Sequence, residues 1–426
     1  MIEWSDTDLM VRDAVRQFID KEIRPHLDEL ETGELSPYPI VRKLFSQFGL
    51  DVLAAESVKK MLDRERAKRE GTNTEADPES TEKQDDADAL GMGGGAQASM
   101  VAVLVSEIAR VSIGLLSTAS VSLGLGATTI MSRGTLAQKE RWLPDLMTLK
   151  KIAAWAITEP DSGSDAFGGM KTTVKRDGAD YILNGQKTFI TNGPYADVLV
   201  VYAKLAEDTV GDSELDRRNR PVLIFVLDAG MPGLTQGKPF KKMGMMSSPT
   251  GELFFDNVRL TPDRLLGENQ HHTGGDGRES ARENFAAERI GIATMALGII
   301  NECHRLCVDY AKTRTLWGKN IGQFQLIQLK LAKMEIARMN VQNMVFATIE
   351  RQKAGKPLTL AEASAIKLYS SEAATDVAME AVQLFGGNGY MAEYRVEQLA
   401  RDAKSLMIYA GSNEVQVTHI AKGLLG

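Results

Sequence analysis

The chain has 426 residues, 43% of them hydrophobic and 25% charged, with 38 glycines and 13 prolines. That balance excludes a collagen, a wholly disordered chain and a disulfide scaffold, and at about 150 residues per domain the length points to two or three domains. Lys and Arg number 50 against 57 Asp and Glu, a net charge of -7, which supplies no general drive toward nucleic acid or an anionic membrane.

Helical periodicity opens the chain. Over 5–57, Leu9, Val11, Val15, Phe18, Ile19 and Ile23 recur at helical spacing, and Ser5 with acids close behind it reads as a helix start. Residues 58–98 break that pattern. They hold a charged stretch, then a segment with seven acids against one lysine, then GMGGGAQAS, and this reads as a solvated excursion. Helical spacing returns over 99–145 (Val101, Val105, Ile108, Ile113, Leu116), in a region rich in small residues. From Ala153 the pattern alternates. MKTTVKRDGADYILNGQKTFITNG carries Asp-Gly and Asn-Gly pairs between apolar runs, a hairpin signal, and further strands are expected in DVLVVYAKL, PVLIFVLD and GELFFDNVRL. A Gly-rich loop is expected at 267–280. Helices follow from about 281 to 425. Helices, then strands, then helices argue against a doubly wound α/β sheet.

The N-terminus is acidic and amphipathic, unlike a secretory or transit segment, and no run of about 18 uninterrupted apolar residues occurs. The chain has two cysteines, Cys303 and Cys307, too few for an extracellular framework. A soluble, cytoplasmic setting is expected. Cys303, His304 and Cys307 share one predicted helical turn, but no second cluster completes four ligands, so no metal is expected and buried cysteines are favoured. GLGATT (124–129) lacks a preceding strand and reads as close helix packing rather than a dinucleotide fingerprint. No histidine sits in a hydrolase or zinc-protease motif.

Four segments exceed what a scaffold needs. AWAITEPDSGSD (154–165) enters the strand-rich block with Thr158 and Ser164. TFITNG (188–193) ends a strand with Thr191 and Asn192 at its rim. LFGGNGY (384–390) and RDAKSLMIYAGSNEVQ (401–416) place Gly-rich turns beside helices. Turns of this kind expose backbone N–H groups to phosphates or a polar ring edge, and four together suggest one large cofactor crossing several elements.

These segments, with GQKTFITNG and AKTRTLWGKNIGQFQLIQ, resemble the signatures of the acyl-CoA dehydrogenase family of flavoproteins, in order and spacing. The resemblance covers the chain from near residue 5 to its end except for 58–98, which reads as an insertion of about 30 residues in a short loop. It implies an α+β multidomain fold: an N-terminal helical domain (1–152), a middle β-barrel-like domain (153–270) and a C-terminal four-helix bundle (271–426). It also implies FAD. Trp155, Ile157, Thr158, Gly163 and Ser164 would line the flavin, with Thr158 bonding the ring, and Phe189 and Thr191 would cover it. Arg314, Trp317, Phe324 and Gln325 would hold the pyrophosphate and adenosine half from a neighbouring subunit, together with Gln383, Gly386 and Gly387. Gly411, Ser412 and Asn413 would contact phosphates or ribose. Ser164, Phe285, Arg289 and Tyr409 would lie along the acyl-CoA path. The implied assembly is a homotetramer or a dimer of dimers, and the implied partner is an electron-transfer flavoprotein.

The implied reaction converts a saturated acyl-CoA to the trans-2-enoyl-CoA. A carboxylate takes the α-proton while a β-hydride passes to flavin N5. Many members carry that carboxylate in a Tyr-Glu-Gly-Thr motif. Here the residues are Tyr409, Ala410, Gly411 and Ser412, so the acid is missing while the Ala410 N–H remains to bond the thioester oxygen. A subgroup that includes isovaleryl-CoA and long-chain acyl-CoA dehydrogenases places its base just before an arginine on the first long C-terminal helix. In NFAAER (284–289) that position is Glu288, which the resemblance makes the base; Glu283 would face elsewhere and Glu414 would serve structure or the adenosine side. Same-fold alternatives are an acyl-CoA oxidase or flavin monooxygenase, and a catalytically silent acyl-CoA-binding subunit.

Overall fold

The computed structural model describes residues 3–71, 95–206, 218–269 and 277–426, less the side chains of a few residues near the starts of two helices, Glu283 among them. The acidic part of the expected insertion (72–94) and the centre of the Gly-rich loop (270–276) lie outside the described residues.

The N-terminal region is helical: α1 (Asp6–Phe18), α2 (Leu27–Thr32), α3 (Pro37–Gln47), α4 (Leu50–Arg69), α5 (Gly95–Ala109), α6 (Ile113–Ser120), α7 (Thr128–Arg133) and α8 (Leu136–Met147). Ser5 caps α1 as its sequence suggests. The Ser5 hydroxyl accepts from the Asp8 N–H, and Asp8 accepts in return from the Ser5 N–H, which satisfies two otherwise orphaned donors. The expectation for 58–98 needs correction. α4 runs unbroken to Arg69, because Val58, Met61 and Leu62 bury an apolar edge in the same cluster as Trp142, Leu143 and Leu146 of α8. Glu65 pairs with Lys139 at 3.0 Å and Arg66 with Glu140 at 2.6 Å. Its many charges hid a helix with one narrow buried stripe.

Ile113–Arg133 is apolar and long enough to cross a bilayer, but 67% of its most apolar window is buried within the protein, so core packing accounts for its composition. Its middle, Val121–Ala127, is π-helical, and at Gly126 a Cβ would come within 2.5 Å of the Ala153 Cβ. Gly126 therefore serves close packing, as expected, whereas Gly124 has open space where a Cβ would stand.

The strands are β1 (Ala153–Ala156), β2 (Thr173–Asp177), β3 (Asp180–Thr191), β4 (Val198–Leu205), β5 (Val222–Asp228), β6 (Leu234–Gln236) and β7 (Thr250–Leu260). They form one curled seven-stranded sheet in the order β1-β4-β2-β3-β7-β6, with β5 on the other edge of β4. β1 and β2 both run parallel to β4, against Val198–Val201 and Lys204–Leu205, and the remaining pairs are antiparallel. β4 is buried along its whole length, as a strand covered on both faces must be. Asp177-Gly178 makes the expected hairpin turn between β2 and β3. Asn184-Gly185 does not turn. It stays inside the 12-residue β3 as a bulge, where Gly185 lets the Thr172 backbone approach to within 2.7 Å of where a Cβ would stand.

The C-terminal region packs α9 (Gly277–Thr313), α10 (Gln325–Lys353), α11 (Leu360–Phe385), α12 (Val396–Ser405) and α13 (Asn413–Leu425), with a small hairpin at β8 (Thr315–Leu316) and β9 (Lys319–Asn320). α9 and α11 run parallel: Arg289 bonds Ser364 near one end and Tyr310 stacks on Phe385 near the other. Cys303 and Cys307 are buried free thiols in α9, and no metal-binding cluster occurs among the described residues.

Asn192 ties these regions together. It is fully buried rather than at a rim, and its left-handed backbone (φ 63°) turns the chain after β3. Its amide donates to the carbonyls of Thr118 and Ala153, both at 3.0 Å, and accepts from the Tyr38 hydroxyl at 3.3 Å. Asn192→Ala removes two buried hydrogen bonds to carbonyls, takes away the Tyr38 hydroxyl's acceptor and loses a residue suited to positive φ; it is expected to cost about 2–3 kcal/mol, read as a lowered Tm. An unchanged Tm would show that water replaces the amide.

Candidate active site

The site is built around Glu288, three turns into α9. Its carboxylate receives no hydrogen bond from a described residue. Burial pushes its pKa up to about 7, and the nearby charges of Arg289 and Lys367 pull the other way without cancelling the effect. A carboxylate poised near neutrality accepts a proton from carbon far better than an ordinary surface acid does.

The loop between α12 and α13 faces this carboxylate. Tyr409 is half-buried, its hydroxyl 3.6 Å from the Met295 sulfur; burial, with Glu288 next, holds that hydroxyl well above the usual phenol range and so neutral. Ala410 and Gly411 both adopt left-handed backbone, at φ 57° and 80°. Glycine accepts that conformation freely, whereas alanine pays roughly 1–2 kcal/mol for it. The Ala410 N–H meets no acceptor among the described residues. A strained turn with a free donor beside a desolvated carboxylate is a pairing that suits a carbonyl ligand.

Buried polar groups hold the turn from behind. Gln416 donates to the Ala410 and Gly411 carbonyls at 3.2 and 2.7 Å. Lys367 donates to the Gly411 carbonyl and to the Asn413 side chain, both at 2.9 Å. Arg289 is 3% exposed and donates to Ser364 at 3.1 Å. Arg289, expected along the acyl-CoA path, has its guanidinium turned into the packing between α9 and α11, beside Gly411. Asn413 is likewise buried beneath the turn, while Gly411 and Ser412 stay partly accessible. Glu414 is exposed in the first turn of α13, where an acid suits the helix dipole.

The strand-rich side of the site is fixed by one buried ion pair. Lys187 on β3 is wholly buried and donates to Glu159 at 2.9 Å and to the Ile157 carbonyl at 2.8 Å. Glu159 also accepts from the N–H groups of Lys171 and Thr172, so both its oxygens are used. Burial lowers the Lys187 pKa to about 8, and the adjacent Glu159 limits that fall. The Thr158 hydroxyl donates to the Thr188 carbonyl at 3.0 Å. The Ile157 side chain is in the core. What the loop after β1 leaves open are Gly163 and Ser164, both exposed, with free space where a Gly163 Cβ would stand. Trp155 packs edge-on against Phe285, one turn before Glu288, which brings β1 beside α9. Phe189 is 66% exposed at φ 59° and tilts over Phe240, and Thr191 ends the same strand. An exposed aromatic shelf, an accessible backbone loop and a buried acid fit a large planar cofactor.

The remaining expected residues gather elsewhere. Arg314, Gln325, Gln383, Gly386 and Gly387 are exposed, Trp317 is 82% exposed, and Phe324 packs on Trp317. The 386–390 turn is tied to the last turns of α9, just before the hairpin, where Asn388 donates to the Tyr310 hydroxyl at 3.0 Å. From Glu288 to the end of α9 is 25 residues, or about 38 Å of helix. The two groups of residues therefore lie well apart along α9 within one chain.

Sequence reasoning missed Lys367, Gln416, Lys187 and Glu159. The available signal was a lone lysine on an Ala- and Ser-rich helix face (EASAIKLYSSEAA), which reads equally well as a solvated residue.

Three family models match the chain: the acyl-CoA dehydrogenase N-terminal domain over 52–150, the middle domain over 154–258 and the C-terminal domain over 275–425. An acyl-CoA dehydrogenase of Bacillus subtilis is 34% identical over 420 residues, spanning 98% of each chain. The caffeyl-CoA reductase-Etf complex subunit CarC of Acetobacterium woodii is 32% identical, spanning 99% of each. The solved butyryl-CoA dehydrogenase of Megasphaera elsdenii superposes with a TM-score of 0.80 at 30% identity, covering 100% of both chains.

Lys187→Met leaves Glu159 charged and uncompensated in the core. It is expected to destabilise the protein by about 3–5 kcal/mol and to lower cofactor content in parallel, measured by thermal unfolding and by absorbance of the purified protein. A stable variant with full cofactor would show that the pair does not hold the loop.

Proposed function

The chain belongs to the acyl-CoA dehydrogenase family, and from that premise we propose that it desaturates an acyl-CoA thioester between Cα and Cβ with Glu288 as the base. The observation that carries this reading is a half-buried carboxylate, poised near neutral pH by desolvation, beside a free, strained backbone donor at Ala410.

The α-proton of a thioester is weakly acidic. The Glu288 carboxylate takes it, and the enolate-like charge that develops on the thioester oxygen is met by the Ala410 N–H. Burial strengthens both interactions by excluding water. Neutral Tyr409 walls the base without competing for the proton. FAD, when bound, supplies the acceptor for the β-hydrogen and its electron pair. Trp155, Thr158, Gly163, Ser164, Phe189 and Thr191 would hold its ring end. Arg314, Trp317, Phe324, Gln325, Gln383, Gly386 and Gly387 would hold the adenosine end of a cofactor seated in a second subunit, since about 38 Å of helix separates them from Glu288. A homotetramer or dimer of dimers follows from this reading. The exposed apolar run on α10 (Leu326, Leu329, Ile336 and Met339, each at least 51% exposed) supports it. An electron-transfer flavoprotein is the proposed electron partner, in line with the relative named as a subunit of such a complex.

The catalytically silent alternative draws on Ala410 alone. The desolvation of Glu288 disfavours it, because an unbonded carboxylate with a raised pKa is a costly feature in a mere scaffold.

Glu288→Gln is expected to retain FAD and bind acyl-CoA but to slow anaerobic flavin bleaching by at least about 10³-fold. Rapid bleaching in that variant would overturn the base assignment. The wild-type bleaching rate should climb about tenfold per pH unit below pH 7 and level off above it, as the carboxyl loses its proton. A rate already flat from pH 5 would contradict a raised pKa. Ile336→Glu with Met339→Glu is expected to yield a smaller species with depleted FAD on size exclusion; an unchanged assembly with full FAD would remove the two-subunit site.

A further inference from the structure

Lys367 lies at the end of the second α11 turn, 0% exposed, on a helix face of Ala and Ser. Its Nζ makes two hydrogen bonds, to the Gly411 carbonyl and to Asn413 Oδ1, each 2.9 Å long. Ser371 donates to the same Asn413 oxygen at 3.1 Å. From the other side Gln416 binds the carbonyls of Ala410 and Gly411. Both carbonyls of a two-residue left-handed turn are thus pinned by buried donors, and the N–H on the opposite side is left without an acceptor. A Cβ at Gly411 would come within 2.7 Å of the Gln416 amide, so the donors sit tight against the backbone. The strain at Ala410 persists because these contacts over-determine it.

We propose that Lys367 is a positioning residue: with Gln416 it locks the 410–411 carbonyls and so presents the Ala410 N–H to the thioester oxygen, while its charge lies within reach of Glu288. The first half rests on the reading of Ala410 given above. The charged groups facing Lys367 are Arg289 and Glu288 on α9, Glu414 on α13 and Glu372 on its own helix. Burial, then Arg289, lowers the Lys367 pKa to about 8, while the three carboxylates pull it back up, so the ammonium form prevails at neutral pH. The cation in turn favours the charged form of Glu288. One buried ammonium therefore serves both partners of the reaction, the donor turn and the base.

The test uses FAD-loaded protein and crotonyl-CoA as the probe. In a Glu288→Gln background, where no turnover interferes, adding Lys367→Met should weaken crotonyl-CoA binding about tenfold by calorimetry. In the otherwise native protein, Lys367→Met should move the acid limb of the bleaching rate upward by about half a pH unit, because a cation favouring the carboxylate is gone. Lys367→Arg should recover part of both effects. An unchanged dissociation constant overturns the proposal. So does weakened binding with an unmoved limb, the signature of a merely structural lysine. If Lys367→Met does not fold, Gln416→Met, which removes the other donor from the same carbonyls, decides: weakened probe binding supports the locked turn and native binding refutes it. Glu288→Gln alone keeps the two readings apart, since rapid bleaching there sinks the base while the binding comparison still judges Lys367.

Discussion

The structure depends on keeping one carboxylate largely out of water without giving it a hydrogen bond. Glu288 stands among Tyr409, the 410–411 turn and the α9–α11 interface, where burial raises its proton affinity and two cations moderate the rise. A hydrogen bond or a close ion pair would hold the acid ionised and weak as a base. Removal of both cations would leave it protonated and idle. Arg289 is committed to Ser364, and Lys367 to Gly411 and Asn413. Neither cation neutralises the acid by direct bonding.

The opposite device, a buried polar group with its hydrogen bonds made, fixes the loops around this site. Glu159 and Lys187 clamp the loop after β1. Asn192 clamps the end of β3. Asp402 on α12, fully buried with its pKa raised to about 7 by burial and then by Glu31, accepts the Met245 N–H at 2.6 Å and so docks the 241–248 loop on the helical region. Buried polar groups of this kind are costly unless satisfied, and their pairing gives each loop one preferred geometry.

Much of this was legible in the sequence. Alternation announced the sheet between Ala153 and Leu260, and three-four spacing announced the long helices, because both patterns are written in which residues are apolar. The missing acid at 410 and the acid at 288 could be read because both fall inside short motifs with fixed spacing. Three features were illegible for physical reasons. The helix at 58–69 buries a narrow stripe under a charged surface, so its composition resembles a solvated segment. Asn184-Gly185 has the form of a turn, but its glycine answers a tertiary approach by Thr172. Lys367, Lys187 and Arg289 are charged residues that burial turned into internal braces, and nothing local to their sequence separates them from surface residues.

The most direct test of the central claim is a titration of the Glu288 carboxyl itself in the FAD-loaded, substrate-free protein. Isotope-edited infrared difference spectra of the native protein against Glu288→Gln would isolate its carbonyl stretch. The account predicts a protonated band that disappears with a midpoint near pH 7. A midpoint near 4.5, the value of an ordinary glutamate, would mean that the carboxylate is solvated and that the site is not the one described.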